Sequence, residues 1–355
     1  MSASPSHHAA APVPQRVVLR HVLTHLVMPL LMCVGMGLAY LGAFHAPKPN
    51  HLGVAVVGST PQVQVLAQTL KDKAGSGLDV TTVADQATAR HELMNRQLVG
   101  AYVPDSATPT LLVASANSDT SATAAEKVFT AVAAQTADRP LTVTELTPLA
   151  SGDPTGQGLF FLLVAVSIGS YASVAVIGGA GGVLRMRVRG LLVLGASLVV
   201  SLIGLLLAGP VFHLVDHDLA AVWALSWAYS AGVMAVGTAL HTFLGRWTTL
   251  GTMLLFVMLN FTSSGGIYRP DLQNGFFGSL HAFWNGAGFL EGARNAVYFD
   301  GRGGLAGNVL TLAVWLVVGA AFMGVASLAE KRRRPLAAPE TPAEREEELE
   351  EAVAA

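Results

Sequence analysis

Few residues of this 355-residue chain are of types that do chemistry, and most stand at the margins of long apolar runs. Glu291 and Arg294 are three apart in a stretch with a helical pattern, the spacing at which an acid and a base meet on one helix face. His213, Asp216, His217 and Asp218 crowd imidazoles and carboxylates into one short segment. That donor set suits a divalent metal, and polar loop ends explain it equally well. Arg185, Arg187 and Arg189 concentrate positive charge in the loop 182–190, where they either meet acidic groups or only fix orientation. The single cysteine, Cys33, lies inside an apolar run, so no intramolecular disulfide or cysteine-based metal cluster exists; it is expected to be a small buried apolar side chain.

Other chemistry is excluded by what the residues lack. No Gly-x-x-x-x-Gly-Lys-Ser/Thr occurs, and none of the five lysines precedes Ser or Thr, so the chain carries no phosphate-cradling loop for ATP. Any ATP is hydrolysed by another protein. A net charge of −2 without a basic surface argues against nucleic acid as a partner.

The elements that must position these residues are set by hydropathy. Apolar residues make up 52% of the chain and charged ones 12%, with a mean hydropathy of +0.51. That is more apolar surface than one soluble core absorbs. Six apolar runs, near 18–44, 159–184, 190–213, 219–243, 247–268 and 305–329, read as transmembrane helices. The first, too long for the core of a signal peptide, reads as an uncleaved anchor. No Asp, Glu, Lys or Arg lies centrally in any run, which disfavours proton or ion coupling by the chain itself. Arg16 and Arg20, the three arginines of 182–190, Arg246 and the run Lys331-Arg332-Arg333-Arg334 flank every second connection between these runs and so share one side, with the Asp216-His217-Asp218 loop on the other. They predict a plasma-membrane protein with both termini cytoplasmic.

Between the first two runs the composition shifts to Thr, Asp, Gln and Ser. The pattern predicts strands at 52–58, 78–84, 99–104, 110–115 and 141–147, with helices at 61–74, 85–96 and 120–137. Thr60 followed by Pro61, and Asp85, are the expected helix caps. The expected fold class is membrane α-helical: six transmembrane helices, an external α/β domain between the first and second, and re-entrant external helices before the sixth. Its parts are a disordered N-terminus (1–15), a first helix (16–45), an extracytoplasmic domain (46–150), a five-helix transmembrane domain (151–330) and a charged cytoplasmic tail (331–355). That tail contains Glu344, Glu346, Glu347, Glu348, Glu350 and Glu351 and reads as solvated.

Residues 262–304 are external on this topology, yet they carry apolar stretches (272–280 and 283–296) too short to cross a bilayer. They suit re-entrant or interfacial helices, or an amphipathic surface loop. Tyr268, Trp284, Tyr298 and Trp315 are candidates for the headgroup level. Gly178 and Gly182 form a Gly-x-x-x-Gly pair suited to close helix approach, or to local flexibility.

The segment Ser263-Ser264-Gly265-Gly266, then Pro270, Leu272, Gly275-Phe276-Phe277, Leu280-His281, Phe283 and Gly292-Ala293-Arg294, resembles the membrane subunits of type-2 ABC exporters. The likeness is to the actinobacterial YhgE/Pip (phage infection protein-like) group. The order of one span, an external domain, five spans and re-entrant helices before the last is similar too. Two features depart from the group: Ala282 stands where a Pro commonly follows the His, and Trp284-Asn285-Gly286 replaces a Leu-Pro-x-Thr/Ser-Tyr stretch. The external region is also short and α/β, where that of the group is often long and coiled-coil.

The resemblance implies a permease subunit that moves a hydrophobic or amphipathic envelope compound or drug outward, working as a homodimer or beside a similar subunit. It implies a separate nucleotide-binding ATPase that binds the ATP, no cofactor in this chain, and docking on 13–25, with Arg16 and Arg20, and on 182–190, with Arg185, Arg187 and Arg189. Ser263, Ser264, Gly265, Gly266, Pro270, Gly275, Phe276, Phe277, His281, Glu291 and Arg294 are then the candidate re-entrant or gating residues. The competing expectation is a non-transporting envelope receptor or scaffold whose α/β domain binds a ligand or partner. A passive channel is a third.

Overall fold

The computed structural model describes residues 15–105, 107–136 and 140–333. The expectations for residues 1–14 and for the acidic tail from 334 onward lie outside these residues.

The chain enters as one long helix, α1 (Gln15–Phe44), and passes at once into an α/β unit. Strand β1 (Leu52–Val57) leads through α2 (Pro61–Ala74) to β2 (Leu78–Val83), then through α3 (Gln86–Met94) to β3 (Gly100–Val103). Strand β4 (Thr110–Val113), α4 (Asp119–Thr136) and β5 (Thr142–Glu145) follow. The sheet order is β2-β1-β3-β4-β5, with β3 and β4 antiparallel and the other neighbours parallel. Parallel pairs need a long crossover, and α2, α3 and α4 supply it. The caps are local. Thr60 Oγ1 accepts from the Val63 amide at 3.4 Å ahead of Pro61, and Asp85 Oδ1 accepts from the Thr88 amide at 2.8 Å. Leu52, Val54, Val56, Tyr102 and Leu111 turn one sheet face towards α2 and α4, where Phe129 stacks on Tyr102 at 5.0 Å. Ala55, Val57, Ala101 and Leu112 turn the other face towards Ala89 and Leu93 of α3. Every strand and helix expected in this region is present in the expected order.

Beyond it lies a helical body of α5 (Gly158–Gly178), α6 (Met186–Leu206), α7 (Leu219–Leu244), α8 (Thr248–Met253), α9 (Asn260–Ser263), α10 (Gly275–His281), α11 (Asn285–Tyr298) and α12 (Leu305–Arg333). Widened π-helical turns extend α6 over Leu207–Val211, which includes Pro210, and join α8 to α9 over Leu254–Leu259. Five helical stretches are long and apolar enough to cross a bilayer, so this is a multi-pass membrane protein. Many of their apolar side chains are exposed, among them Leu30 (64%), Leu191 (69%) and Val317 (68%). A belt of that kind is stable against lipid and not against water.

The stretch Leu219–Ser263 counts as one of these five, where the sequence predicts two separate spans ending at 243 and 268. It is not straight. Asn260 Nδ2 donates to Tyr229 Oη at 2.8 Å although the two are 31 residues apart, about 46 Å along a straight helix. The reversal sits at the turn Gly245–Trp247, where Gly245 has φ +50 and its amide bonds the His241 carbonyl. The returning arm, 248–263, is only about 24 Å long at 1.5 Å per residue, so the second expected span ends earlier than its hydropathy suggests.

Candidate functional site

The α/β domain meets the helical body through one buried group of charges, and each member is placed by its own element. Glu291 projects from α11, whose residues Asn285–Val297 are all buried. Arg294, one helical turn on, donates from Nη1 to Glu291 Oε1 at 3.1 Å and to the Gly265 carbonyl at 2.9 Å. Arg269, in the turn before Pro270, donates from Nη1 to Glu291 Oε2 at 2.7 Å and to Asn117 Oδ1 at 2.9 Å. Arg96 comes from the α/β domain. Its Nη2 donates to Glu291 Oε2, its Nη1 to the Glu291 carbonyl at 3.3 Å and its Nε to Asn117 Oδ1 at 2.8 Å.

Arg96 occupies the position just past the end of α3 where the backbone turns left-handed, φ +60, a place usually taken by glycine. A non-glycine residue there costs about 1–2 kcal/mol. The side-chain bonds and a guanidinium stacked 5.2 Å from the Phe299 ring centre hold it. Gly303, φ +70, lets the Arg96 stem pass, since a Cβ there would lie 2.7 Å from Arg96 Cδ. His281 closes the group, with Nε2 3.8 Å from Glu291 Oε1 and Nδ1 donating to the Ser263 carbonyl at 2.8 Å.

Three guanidiniums thus surround one carboxylate. Burial by itself raises the Glu291 carboxyl, but Arg269, Arg96 and Arg294 outweigh it and hold the group far below the usual carboxylate range. Burial draws Arg96 down to about 10 against the pull of Glu291. Burial also lowers His281, with Arg269 and Arg294 adding to the effect, so its imidazole is neutral at pH 7. Close by, Asp271 accepts from Ser121 Oγ at 2.8 Å, Thr120 Oγ1 donates to the Ile267 carbonyl at 3.0 Å, and the Asn50 amide donates to the Asp271 carbonyl at 2.8 Å. These contacts tie the domain to residues 267–271.

A second polar feature runs through the helical body. Tyr229 Oη of α7 shares a hydrogen bond with Ser167 of α5 at 2.6 Å and accepts from Asn260 of α9. One turn away, Ser170 and Ser230 meet at 2.8 Å. Asn260 Oδ1 and both polar atoms of the Asn285 amide are buried without a partner, and a Cβ on Gly286 would overlap the Asn260 amide. The seam is polar, uncharged and enclosed by Leu163, Phe256 and Phe289.

The residues singled out in the sequence divide among these sites. Ser263, Ser264, Gly265, Gly266, His281, Glu291 and Arg294 gather at the junction. Gly265 (φ +79) stands against His281 and Glu291, and a Cβ on Gly266 would overlap the Phe160 ring. Pro270 opens a short turn, Gly275 begins α10, Phe277 is buried near Gly42 of α1, and Phe276 is 62% exposed.

Other placements differ from expectation. Arg16 and Arg20 are exposed on α1, and Arg185 and Arg187 are exposed at the start of α6, but Arg189 is 2% exposed and engages Glu330 of α12. Its charge is spent inside the protein and is not open to a docking partner. Gly178 ends α5 with a Cβ position 2.7 Å from His241 Cδ2, whereas Gly182 lies outside that helix with nothing near it, so the two form no shared packing face. Cys33 is exposed, not buried. Trp284 is buried at 6%, donating to the Leu255 carbonyl at 3.2 Å, and so is no headgroup anchor. His217 and Asp218 are exposed and 4.0 Å apart, and no group of metal-ligating side chains occurs among the described residues.

Sequence reasoning did not single out Arg96, Arg269 or Asn117. An arginine at a helix-ending position that favours glycine is the one local signal for Arg96. No protein-family model, curated protein or solved structure matches the chain.

Proposed function

We propose that this chain is the permease subunit of an ATP-driven exporter of the type-2 ABC kind, powered by a separate ATPase, moving a hydrophobic or amphipathic envelope compound. The two arms of Leu219–Ser263, the second completed by the buried turn at 264–266, are taken as separate crossings, giving six spans with both termini cytoplasmic and the α/β domain outside. The observation that supports the reading best is the seam of Ser167, Tyr229 and Asn260. It offers hydroxyl and amide groups within an apolar body and no carboxylate or basic side chain to couple an ion gradient. With no phosphate-binding loop in the sequence, the energy comes from a partner.

The test is purification from the native membrane, followed by assay of ATP hydrolysis and of export of a fluorescent amphiphile in proteoliposomes. Co-purification of an ATPase whose turnover depends on this chain supports the proposal. Failure to recover any ATPase overturns it.

A second reading, a receptor or scaffold, is favoured by the orientation of the sheet. The residues joined to the helical body, Asn50, Arg96 and Asn117, cluster at the amino ends of β1 and β3. The crevice between the carboxyl ends of β1 and β3, where the chain leaves β1 through α2 towards β2 and leaves β3 by a short loop towards β4 on the other side, therefore faces away from the helices. Open α/β sheets bind ligands at such a place. Ligand binding by the chain without any ATPase would favour this reading.

A further inference from the structure

Where α6 begins and α12 ends, the surface opens into a cavity of about 320 Å³ lined by Arg185, Met186, Arg187, Ser327, Glu330 and Lys331. The helices pack closely at this end, with a Cβ on Gly190 falling 3.6 Å from Met323 Cε. Three basic side chains and one carboxylate line the cavity, so its balance is positive. The carboxylate is Glu330, whose Oε1 is engaged by the buried Arg189 and accepts from Thr242 Oγ1 at 2.9 Å. Arg185, Arg187 and Lys331 are exposed, and no ion pair among the described residues engages them. The N-terminus of α6, which begins beside the cavity, has no side-chain cap, and the positive end of a helix favours an anion.

Just past the rim the surface becomes apolar: Val188 (41%) and Leu191 (69%) on α6, and Val325 (53%) and Leu328 (59%) on α12, are exposed. Cations gathered at the margin of a hydrocarbon-facing surface match an amphiphile with a phosphate at one end and acyl chains at the other. A free phosphate would satisfy only the cavity.

We propose that the cavity formed by Arg185, Arg187 and Lys331 binds the phosphate-bearing headgroup of an anionic membrane lipid, whose acyl chains lie along α6 and α12. The lipid would bridge the two helices beside the internal Arg189–Glu330 pair. This site is independent of what the protein transports.

The test uses the full-length protein in bilayer discs of phosphatidylcholine with or without phosphatidylglycerol, reading bound phosphatidylglycerol by native mass spectrometry. The wild-type protein is expected to retain it. The triple variant R185Q/R187Q/K331Q is expected to hold it roughly a hundredfold more weakly, each cation near the membrane surface being worth about fivefold. The control R16Q/R20Q/R246Q removes equal charge elsewhere and is expected to bind as wild type. Equal losses in both triples would reduce the effect to general surface charge and overturn the proposal. Stabilisation of the lipid-free protein by inorganic phosphate to the same extent as by phosphatidylglycerol would assign the site to free phosphate, and overturn it too. Unchanged lipid retention with loss of a co-purifying protein in the first triple would make the patch a protein contact instead. Should that triple fail to fold, K331Q alone is expected to lose about fivefold, and wild-type retention by it would sink the idea.

Discussion

Arg96 and Glu291 stand 195 positions apart in the chain, and their side chains are joined in a buried interior. This contact, with those of Arg269 and Arg294 to the same carboxylate, makes the α/β domain and α11 parts of one packed unit. Removing the shared acid leaves three guanidiniums facing one another. Glu291→Gln is therefore expected to cost about 3–5 kcal/mol, the usual result of breaking a buried ion pair from one side. Thermal unfolding in detergent would measure it. Hydrogen exchange at α11 and at 94–98 should rise together, and a rise at only one of them would show that the junction does not couple the two parts.

Acid should loosen the same junction in two stages. His281 is depressed below its ordinary 6.5, so below that pH the unfolded chain takes up a proton that the folded chain refuses, and stability falls. Glu291 is depressed below its ordinary 4.5; its contribution is complete above that value and is lost as pH drops through the lower folded value. Asp271, raised by burial with Arg269 and Ser121 acting against it, partly offsets the second stage. Melting temperatures measured from pH 7.5 to 5.5 should decline in the wild-type protein and decline less in His281→Asn. Identical slopes would remove His281 from the first stage.

Tyr229 is the shared member of two hydrogen bonds inside the helical body. Tyr229→Phe keeps the ring and strips both, and leaves the Asn260 amide, whose Oδ1 already has no partner, without any. Side-chain hydrogen bonds between membrane helices average about 0.6 kcal/mol, so a loss near 1 kcal/mol is expected in a detergent unfolding titration. If the seam lines a transport path, export should fall far more than that stability change accounts for.

The two glycines that suggested a packing pair should behave oppositely. Gly178→Ala drives a methyl into the His241 ring, 2.7 Å from Cδ2, and overpacking of this sort costs about 1–3 kcal/mol. Gly182→Ala meets open space and should change stability by less than about 0.5 kcal/mol. Unfolding midpoints of the two variants, compared side by side, decide it.

Local patterns in the sequence determined most of the elements. Apolar runs of membrane length, alternating strand residues and the caps at Thr60 and Asp85 depend on neighbours within a few positions, so they are written in order along the chain. The Glu291–Arg294 pair was legible for the same reason, being one helical turn long. What only the tertiary structure decided is which distant groups share an interior. Nothing in the residues around Arg96, Asn117 or Arg269 announces Glu291, because a buried carboxylate draws its partners through space across chain separations that carry no periodic signal. The same holds for Arg189, which reads as a loop charge until α12 brings Glu330 to it, and for the turn at Gly245–Trp247. There hydropathy marks two spans, whereas in the fold the chain turns back so that Asn260 meets Tyr229, and the second arm is the shorter.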